Sequence, residues 1–344
     1  MERCFNKLVC GTRRVNKEGK LTPDIRDAIV DPKHRSDYRN DVITISVAQP
    51  GNAPDVKFPP LSYLTPQSLD EAIALLQRHG ADAKLLSGGQ SLMPMLAFRL
   101  ASCSILVDLK FIPGLDGVTI TEDGVELGAR VRWRDIEHDT RLQGAHPLLS
   151  IAVKHIAHYA IRNRGTVGGS LAHGDPASEL PALAVACDAV IEVQGPAGRR
   201  SVPAGEFFLS PLITALEPNE VIISLRFPRW PKARSFGFQE FARRRGDFAM
   251  AGAIVFFDKD ENEYIRSPHI GAFAVGDTPL RLAEAEQFLN GNRMNSDTFE
   301  EAAVLGVRDI EVRSDIHADS DYRRALLETL VKRALVDAAQ RTNP

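Results

Sequence analysis

The sequence predicts an α+β protein of more than one domain, and three observations carry that prediction. A capped amphipathic helix, "SLDEAIALLQRHG", runs into a short apolar strand, a glycine turn, a second helix and another strand, the pattern of a small α/β subdomain. Further on, "GVTITEDGVELGA" and "AVIEVQGPAGRRSVPAGEFF" alternate like hairpin strands around turn residues. After "PRWPKARS", which carries two prolines and basic residues, strands and helices resume, so a domain boundary near 229–234 is expected. The 344 residues suffice for two or three domains of ordinary size.

The elements follow in order. Residues 1–56 are charge-dense and broken by Pro23, Pro32, Pro50 and Pro54, with "VITISVA" as one candidate strand. They read as a poorly packed extension, either translated from an early start codon or serving as a partner-binding arm. Order begins near Lys57. In the first helix Ser68 is the cap and Glu71 completes a capping box; Leu69, Ala72, Ile73 and Leu76 share a face, and Gly80 suits the exit. "AKLL" and "SILVDL" are strands on either side of the first glycine turn. "GVTITEDGVELGA" is a hairpin with Asp123-Gly124 as its turn, and "HPLLSIAVKHIAHYA" a buried helix leading into the second glycine-rich passage. Strands are expected around Gly195-Pro196 and in "EVIISLRFP", "AIVFF" and "IGAFAVG". The last helix, "DYRRALLETLVKRALVDAAQ", aligns Leu326, Leu330, Ala334 and Ala338.

Composition excludes several classes. Hydrophobic residues are 44% and charged residues 25%, as in soluble globular chains, and the formal net charge of −3 gives no basic footprint for nucleic acid. No stretch approaches the roughly 18 consecutive apolar residues of a membrane helix, and the charged N-terminus lacks a signal-peptide core, so a cytoplasmic location is expected. Cys4, Cys10, Cys103 and Cys187 form no C-x-x-C pair and offer no iron–sulfur or zinc ligand set; they read as ordinary thiols.

Familiar nucleotide and hydrolase motifs fail. No G-x-G-x-x-G follows a strand and no P-loop is present. "GQSLM" starts like a nucleophile elbow, but Met93 stands where glycine belongs. His155, His158 and His173 are too weakly patterned for a metal site, and none is expected. What remains is a pair of glycine turns, Ser87-Gly88-Gly89-Gln90-Ser91 and Thr166-Val167-Gly168-Gly169-Ser170. Glycine lets main chain approach a ligand closely and adopt positive φ, and successive N–H groups then form an anion-binding concavity. Ser91, Thr166 and Ser170 add hydroxyls. Two such turns facing each other suit a diphosphate, so the residues point to a nucleotide and no further.

The passages "KFPPLSYLTPQSLDEAIALLQRHG…LLSGGQSLMPML…LVDL…IRNRGTVGGSLAHGDPASELPAL…FARRRGDFAMAGA" resemble the FAD-binding (medium) subunit of the molybdenum hydroxylases, the carbon monoxide dehydrogenase and xanthine dehydrogenase family. The resemblance covers about Lys57 to the C-terminal helix and leaves out residues 1–56. It implies a vanillyl-alcohol-oxidase/PCMH-type FAD-binding fold of two α/β subdomains, at about 57–117 and 118–230. A C-terminal domain at 231–344 would hold a three-stranded antiparallel sheet and helices. FAD would lie between the subdomains. Leu85, Leu86, Ser87, Gly88, Gly89, Gln90, Ser91 and Leu92 would wrap the pyrophosphate and ribityl chain, and Thr166, Gly168, Gly169 and Ser170 would close the other side. Glu179 and Asp175 would take ribose hydroxyls. Ile222 or Ile223 would touch the flavin ring, and Gln239 lies where some relatives carry a lysine near it. Ser87 replaces an alanine common in the family. Gln90 stands where some members have histidine and offers no nitrogen for the usual covalent link, so FAD is expected to be noncovalent.

The resemblance also implies a role. The chain would be the electron-transfer subunit of an oxidoreductase, with no catalytic side chain of its own for hydroxylation. Molybdopterin and two [2Fe–2S] clusters would sit only in partner subunits, large and small, in a heterotrimer that can dimerise. "RRRGD" at Arg243–Asp247 reads either as a solvated basic loop or as a surface near the flavin mouth that meets a partner or an anionic acceptor. "IRNRG" poses the same choice, with Arg162 and Arg164 anchoring the turn or an adjacent subunit. Two readings of other classes stand beside this one: a self-contained flavoprotein oxidase of the same fold, and a non-catalytic nucleotide-binding module.

Overall fold

The computed structural model describes residues 58–341, together with the backbone of three short strands at Arg14–Val15, Leu21–Thr22 and Ile43–Ile45. Most of the N-terminal extension, with Cys4 and Cys10, lies outside the described residues; of "VITISVA", Ile43–Ile45 is a strand. The chain divides into two compact units. One comprises residues up to Leu86 with Leu92–Phe111, and the other Ser87–Ser91 with Ile112 onward.

The first unit is a four-stranded sheet in the order Ile43–Ile45, Leu61–Leu64, Ile105–Asp108, Ala83–Leu86, with an antiparallel first pair and parallel pairs thereafter. Parallel neighbours need a crossover, and the helix Leu69–His79 supplies it. Ser68 Oγ accepts from the Glu71 N–H at 3.2 Å, and the Glu71 carboxylate accepts from the N–H of Gln67, one residue before the cap. Ala72, Ile73 and Leu76 are buried and Leu69 only partly so; Gly80, at φ +53°, closes the helix. Leu61, Leu96 and Leu106 form a small core with Tyr63, Leu86, Leu92 and Met93 packed on it.

The second unit holds two larger antiparallel sheets. One is five-stranded, in the order Gly198–Pro203, Val190–Gly195, Val221–Pro228, Gly124–Gly128, Val118–Thr121. Both expected hairpins are present. In the first, Thr121 pairs with Gly124, so the loop residues are Glu122 and Asp123, one place earlier than the turn propensity of Asp-Gly suggests. Gly124 belongs to the strand because it carries φ +143° and a Cβ there would meet the Phe227 carbonyl oxygen at 2.0 Å.

The stretch "HPLLSIAVKHIAHYA" differs from the single buried helix expected. A helix Pro147–Ala152 is followed by turns and a separate short helix Tyr159–Arg162, and the segment between them is largely exposed. Ala157 takes φ +44°, and Arg162 Nη1 donates to the carbonyls of Ile156 and Ala157 at 3.1 and 2.9 Å. A guanidinium from the next turn satisfies those carbonyls, so continued helix is not needed.

The C-terminal sheet has three long strands, Ser235–Phe241, Ala251–Lys259 and Ile265–Phe273, plus a two-residue fourth, Leu280–Arg281. It separates two cores by strict alternation. Ile254, Phe256 and Phe273 join one core with Trp230, Phe236 and Phe238. Ala253, Val255 and Phe257 join the other, packed with the helices Ser296–Arg308 and Ser320–Gln340. Gly237 allows the last helix to approach, since a Cβ there would lie 2.0 Å from the Ala334 carbonyl oxygen.

Candidate functional site

Both glycine turns, Ser87–Ser91 and Thr166–Ser170, fall in the second unit, and they meet. Thr166 caps the helix Val167–His173: its Oγ1 accepts from the Gly169 N–H at 3.2 Å and donates to Ser87 Oγ at 3.0 Å. The hydroxyl hydrogen of Ser87 is thereby left to point at something else. In each turn one glycine is demanded by packing. A Cβ on Gly88 would sit 2.3 Å from the Arg164 carbonyl oxygen, and one on Gly168 would sit 2.7 Å from Ala129 Cβ. The other glycine of each pair faces differently. Gly89 has φ +71°, and a Cβ on Gly169 would meet only Thr166 Oγ1, at 2.8 Å.

Donor accounting separates the turns. In the second, Val167 N–H bonds the Val131 carbonyl, Gly168 N–H the Ala129 carbonyl at 2.7 Å, and Ser170 N–H the Thr166 carbonyl. In the first, the N–H groups of Gly88, Gly89 and Gln90 find no acceptor among the described residues, and the Gln90 amide folds back on the Gly88 carbonyl at 3.1 Å. The first turn therefore leaves three main-chain N–H groups able to meet an anion, and the second contributes shape and the hydroxyl pair Thr166–Ser87.

The remaining predicted residues are placed as follows. Leu85 and Leu86 end a strand of the first unit and Leu92 opens its second helix; Leu86 and Leu92 pack on that unit's own core. Asp175 Oδ1 accepts from the Ala177 N–H at 2.8 Å, so it shapes the turn into the helix Glu179–Ala186. Glu179 is 8% exposed at the start of that helix. Burial pushes its carboxyl up to about 7; its own N–H pulls the other way and the charge of Asp175 adds to the rise. Ile222 is buried in the core, whereas Ile223 sits at a bulge, half-buried, with its carbonyl on the Ala129 N–H. Ile223 is thus the neighbour of the second turn.

Gln239 donates to Asp337 Oδ2 at 2.7 Å and so belongs to the face covered by the last helix. Phe236, Phe238 and Glu240 occupy the opposite face. Burial, and then the charge of Glu179, pushes the Glu240 carboxyl up to about 8. Sequence reading missed Glu240; the two-residue period of "SFGFQEF" was the signal that places it with Phe238. Arg162 also binds Glu137, with Nε to Oε2 at 3.0 Å, so "IRNRG" anchors the approach to the second turn from within this chain.

Comparison with known proteins identifies the family. Residues 57–230 match the FAD binding domain in molybdopterin dehydrogenase, and residues 236–338 match the CO dehydrogenase flavoprotein C-terminal domain. The chain belongs to this flavoprotein family. It is 37% identical over 287 residues to the nicotine 6-hydroxylase medium subunit of Paenarthrobacter nicotinovorans, covering 83% of this chain and 100% of that one. It is 38% identical over 277 residues to the carbon monoxide dehydrogenase medium chain of Hydrogenophaga pseudoflava, covering 80% and 96%. The structure of carbon monoxide dehydrogenase from Hydrogenophaga pseudoflava lacking the Mo-pyranopterin moiety superposes with a TM-score of 0.79 at 38% identity, over 82% of this chain and 98% of that chain. The fold is that of a medium subunit of a molybdenum hydroxylase, an oxidoreductase, and the cofactor of such a subunit is FAD. The residues present fit it: an unfilled N–H cradle among the described residues, a glycine whose Cβ would meet one side-chain hydroxyl and no main chain, and a buried carboxyl bonded by its own main-chain N–H.

Proposed function

We propose that this chain is the flavin relay of a molybdenum hydroxylase, receiving electrons from the [2Fe–2S] clusters of a small partner subunit and passing them to an external acceptor. A large molybdopterin subunit would hold the seat of hydroxylation, and the complex would be a heterotrimer able to dimerise. The observation that supports this most is the unfilled cradle at Gly88–Gln90, backed by the Thr166 and Ser87 hydroxyls, inside a chain of this family.

Bound FAD supplies one- and two-electron redox chemistry; the chain's task is to hold and orient it. Gly88, Gly89 and Gln90 offer main-chain N–H groups to the diphosphate, and Ser87 adds a hydroxyl hydrogen. Gly169 leaves room for close approach. Glu179, with Asp175 shaping its turn, accepts from ribose hydroxyls, and ligand hydroxyls there relieve the burial that otherwise raises its pKa. Ile223, with Ile222 behind it, forms the apolar contact for the ring. Leu85, Leu86 and Leu92 frame the first turn through the strand and helix they belong to. The side chain at position 90 has no imidazole, so FAD is held without a covalent bond.

The test is purification of the chain alone and with its partners. Alone it should carry flavin that acid precipitation releases, and it should not oxidise an organic donor. Co-expressed with molybdopterin and ferredoxin-like subunits it should co-purify with both, and its flavin should be reduced when substrate is added. Turnover of an organic donor by the isolated chain would replace this reading with a self-contained oxidase; a colourless chain would favour a non-catalytic module.

A further inference from the structure

One run in the charge-dense N-terminal extension differs from its surroundings. Val42, Ile43, Thr44, Ile45 and Val47 are β-branched, residues 42–48 carry no charge, and apolar and hydroxyl side chains alternate through Ile43, Thr44, Ile45 and Ser46. The centre of that run, Ile43–Ile45, is the outermost strand of the first unit's sheet. It lies antiparallel to Leu61–Leu64, with Ile43 opposite Tyr63, Thr44 opposite Ser62 and Ile45 opposite Leu61. The family match begins at residue 57, so this strand is an addition to the matched domain.

Donor accounting on Leu61–Leu64 says what the added strand supplies. The Ser62 N–H is taken by the Ser104 carbonyl at 2.8 Å, on the side of the neighbour Ile105–Asp108. N–H groups of successive strand residues point to opposite edges, so those of Leu61 and Tyr63 face Ile43–Ile45. Residues directly opposite in an antiparallel ladder exchange both N–H···O bonds or neither, and this register makes Ile43 with Tyr63 and Ile45 with Leu61 the bonded pairs. Without the added strand, two N–H groups and two carbonyls would stand at an open edge, a template for foreign strands. The same strand leads inward to the first glycine turn. The Tyr63 hydroxyl donates to the Asp108 carboxylate, and Lys110 Nζ donates to the Tyr63 hydroxyl oxygen at 2.9 Å. Asp108 Oδ1 also accepts from the Lys110 N–H at 2.9 Å. Asp108 stands opposite Leu86 in the parallel pair, and Leu86 is the residue before Ser87. Links thus run without a gap from Ile43 through Tyr63 and Asp108 to the residue that starts the turn.

We propose that Ile43–Ile45 is a built-in edge strand that closes the first unit's sheet and steadies the strand end from which the first glycine turn leaves, so that the extension slows flavin release. Three strand residues suffice because the occupant is tethered: residues 46–60 join it to Leu61, which makes the pairing intramolecular and favours it over a second copy of this chain. The effect on flavin rests on the flavin reading given above; the occupation of the edge does not.

Amide hydrogen exchange at single-residue resolution, with the rate of flavin release, tests it on the purified full chain. In the native chain the amides of Leu61 and Tyr63 should be protected like those of Ser62 and Leu64, at every protein concentration. Ile43→Pro with Ile45→Pro removes both N–H groups that the added strand donates. It should lower protection of Leu61 and Tyr63 by about tenfold or more, keep Ser62 and Leu64 protected as a sign that the sheet is folded, and speed flavin release about threefold to tenfold. Ile43→Val with Ile45→Val keeps the donors and the β-branching and should change neither reading. Tyr63→Phe, with the extension intact, should speed flavin release while the amides of Leu61 and position 63 stay protected. The proposal is overturned by Leu61 and Tyr63 amides that exchange as fast in the native chain as in the double-proline chain. It is equally overturned by protection that appears only at high protein concentration, where a second copy holds the edge, or by flavin release that the prolines leave unchanged. A native chain that binds no flavin counts against the flavin reading, and the exchange pattern then decides the strand by itself.

Discussion

The two glycine turns look alike in sequence and do opposite things with their main chain. In Thr166–Ser170 the N–H groups of Val167 to Ser170 are taken internally, by the carbonyls of Val131 and Ala129 just beyond the strand Gly124–Gly128, by the Thr166 cap and by the first helical turn. In Ser87–Ser91 the N–H groups of Gly88, Gly89 and Gln90 have no acceptor among the described residues. The difference teaches that "GG" is not one signal. Each turn uses one glycine, Gly88 or Gly168, to bring backbones together. Each uses the other, Gly89 or Gly169, to shape or clear a surface.

The packing glycines and the surface glycines should therefore fail in different ways. Gly88→Val has the largest expected effect. Its side chain would have to enter the space of the Arg164 main chain, which cannot give like a flexible side chain. We expect a loss of about 3 kcal/mol or more, read as a lowered denaturant midpoint, together with loss of flavin. Gly169→Val should act mainly on function. Its Cβ would lie 2.8 Å from Thr166 Oγ1, a side-chain atom that can shift at the cost of a disturbed helix cap, so the flavin-free chain should lose about 1 kcal/mol and melt a few degrees below the native one, while flavin absorbance per chain falls to background. Normal flavin occupancy in Gly169→Val would remove this glycine from the site. Equal melting temperatures for Gly88→Val and the native chain would erase the distinction between the turns.

Much of this was legible in the sequence because it is local. The Ser68 cap, the hairpins, the alternation in "AIVFF" and both glycine turns are set by neighbours within a few residues. What was not legible depended on distant partners. The break after Ala152 needs Arg162 to hold two carbonyls, and no periodicity announces that. The bulge that separates Ile222 from Ile223 is a register event between strands. Gln239 was chosen by its position in a motif, but Asp337, 98 residues later, takes its amide, and the opposite face belongs to Glu240. That the second turn's N–H groups are occupied follows from Val131 and Ala129, which lie outside the motif.

A smaller effect should appear in the pH dependence of the two environments. Glu179 lies buried behind the second turn with its carboxyl raised to about 7, whereas the first turn, Ser87–Ser91, contains no carboxyl group at all. Between the ordinary value and 7 the folded chain holds a proton that the unfolded chain has released. Stability of the flavin-free chain therefore falls as pH rises through that window and levels above it. The contribution is on the order of 3 kcal/mol at most. Melting at pH 5.5 should exceed melting at pH 8 by several degrees. Glu179→Gln should flatten part of that slope and weaken flavin retention, with Glu240, raised to about 8, maintaining the rest. A slope unchanged in Glu179→Gln would mean that this carboxyl ionises freely in the fold.

The smallest effect belongs to the bond that joins the turns. Ser87→Ala removes the acceptor of the Thr166 hydroxyl and one potential donor to the ligand, but leaves the Gly88–Gln90 N–H groups as they are. If the cradle is main chain, flavin stoichiometry should stay at one per chain, with affinity lower by about fivefold and stability by about 1 kcal/mol or less. Thr166 keeps its capping bond to Gly169, so the helix Val167–His173 should persist. A Ser87→Ala chain that loses its flavin outright would show that the hydroxyl relay, and not the open N–H groups of the first turn, carries the diphosphate.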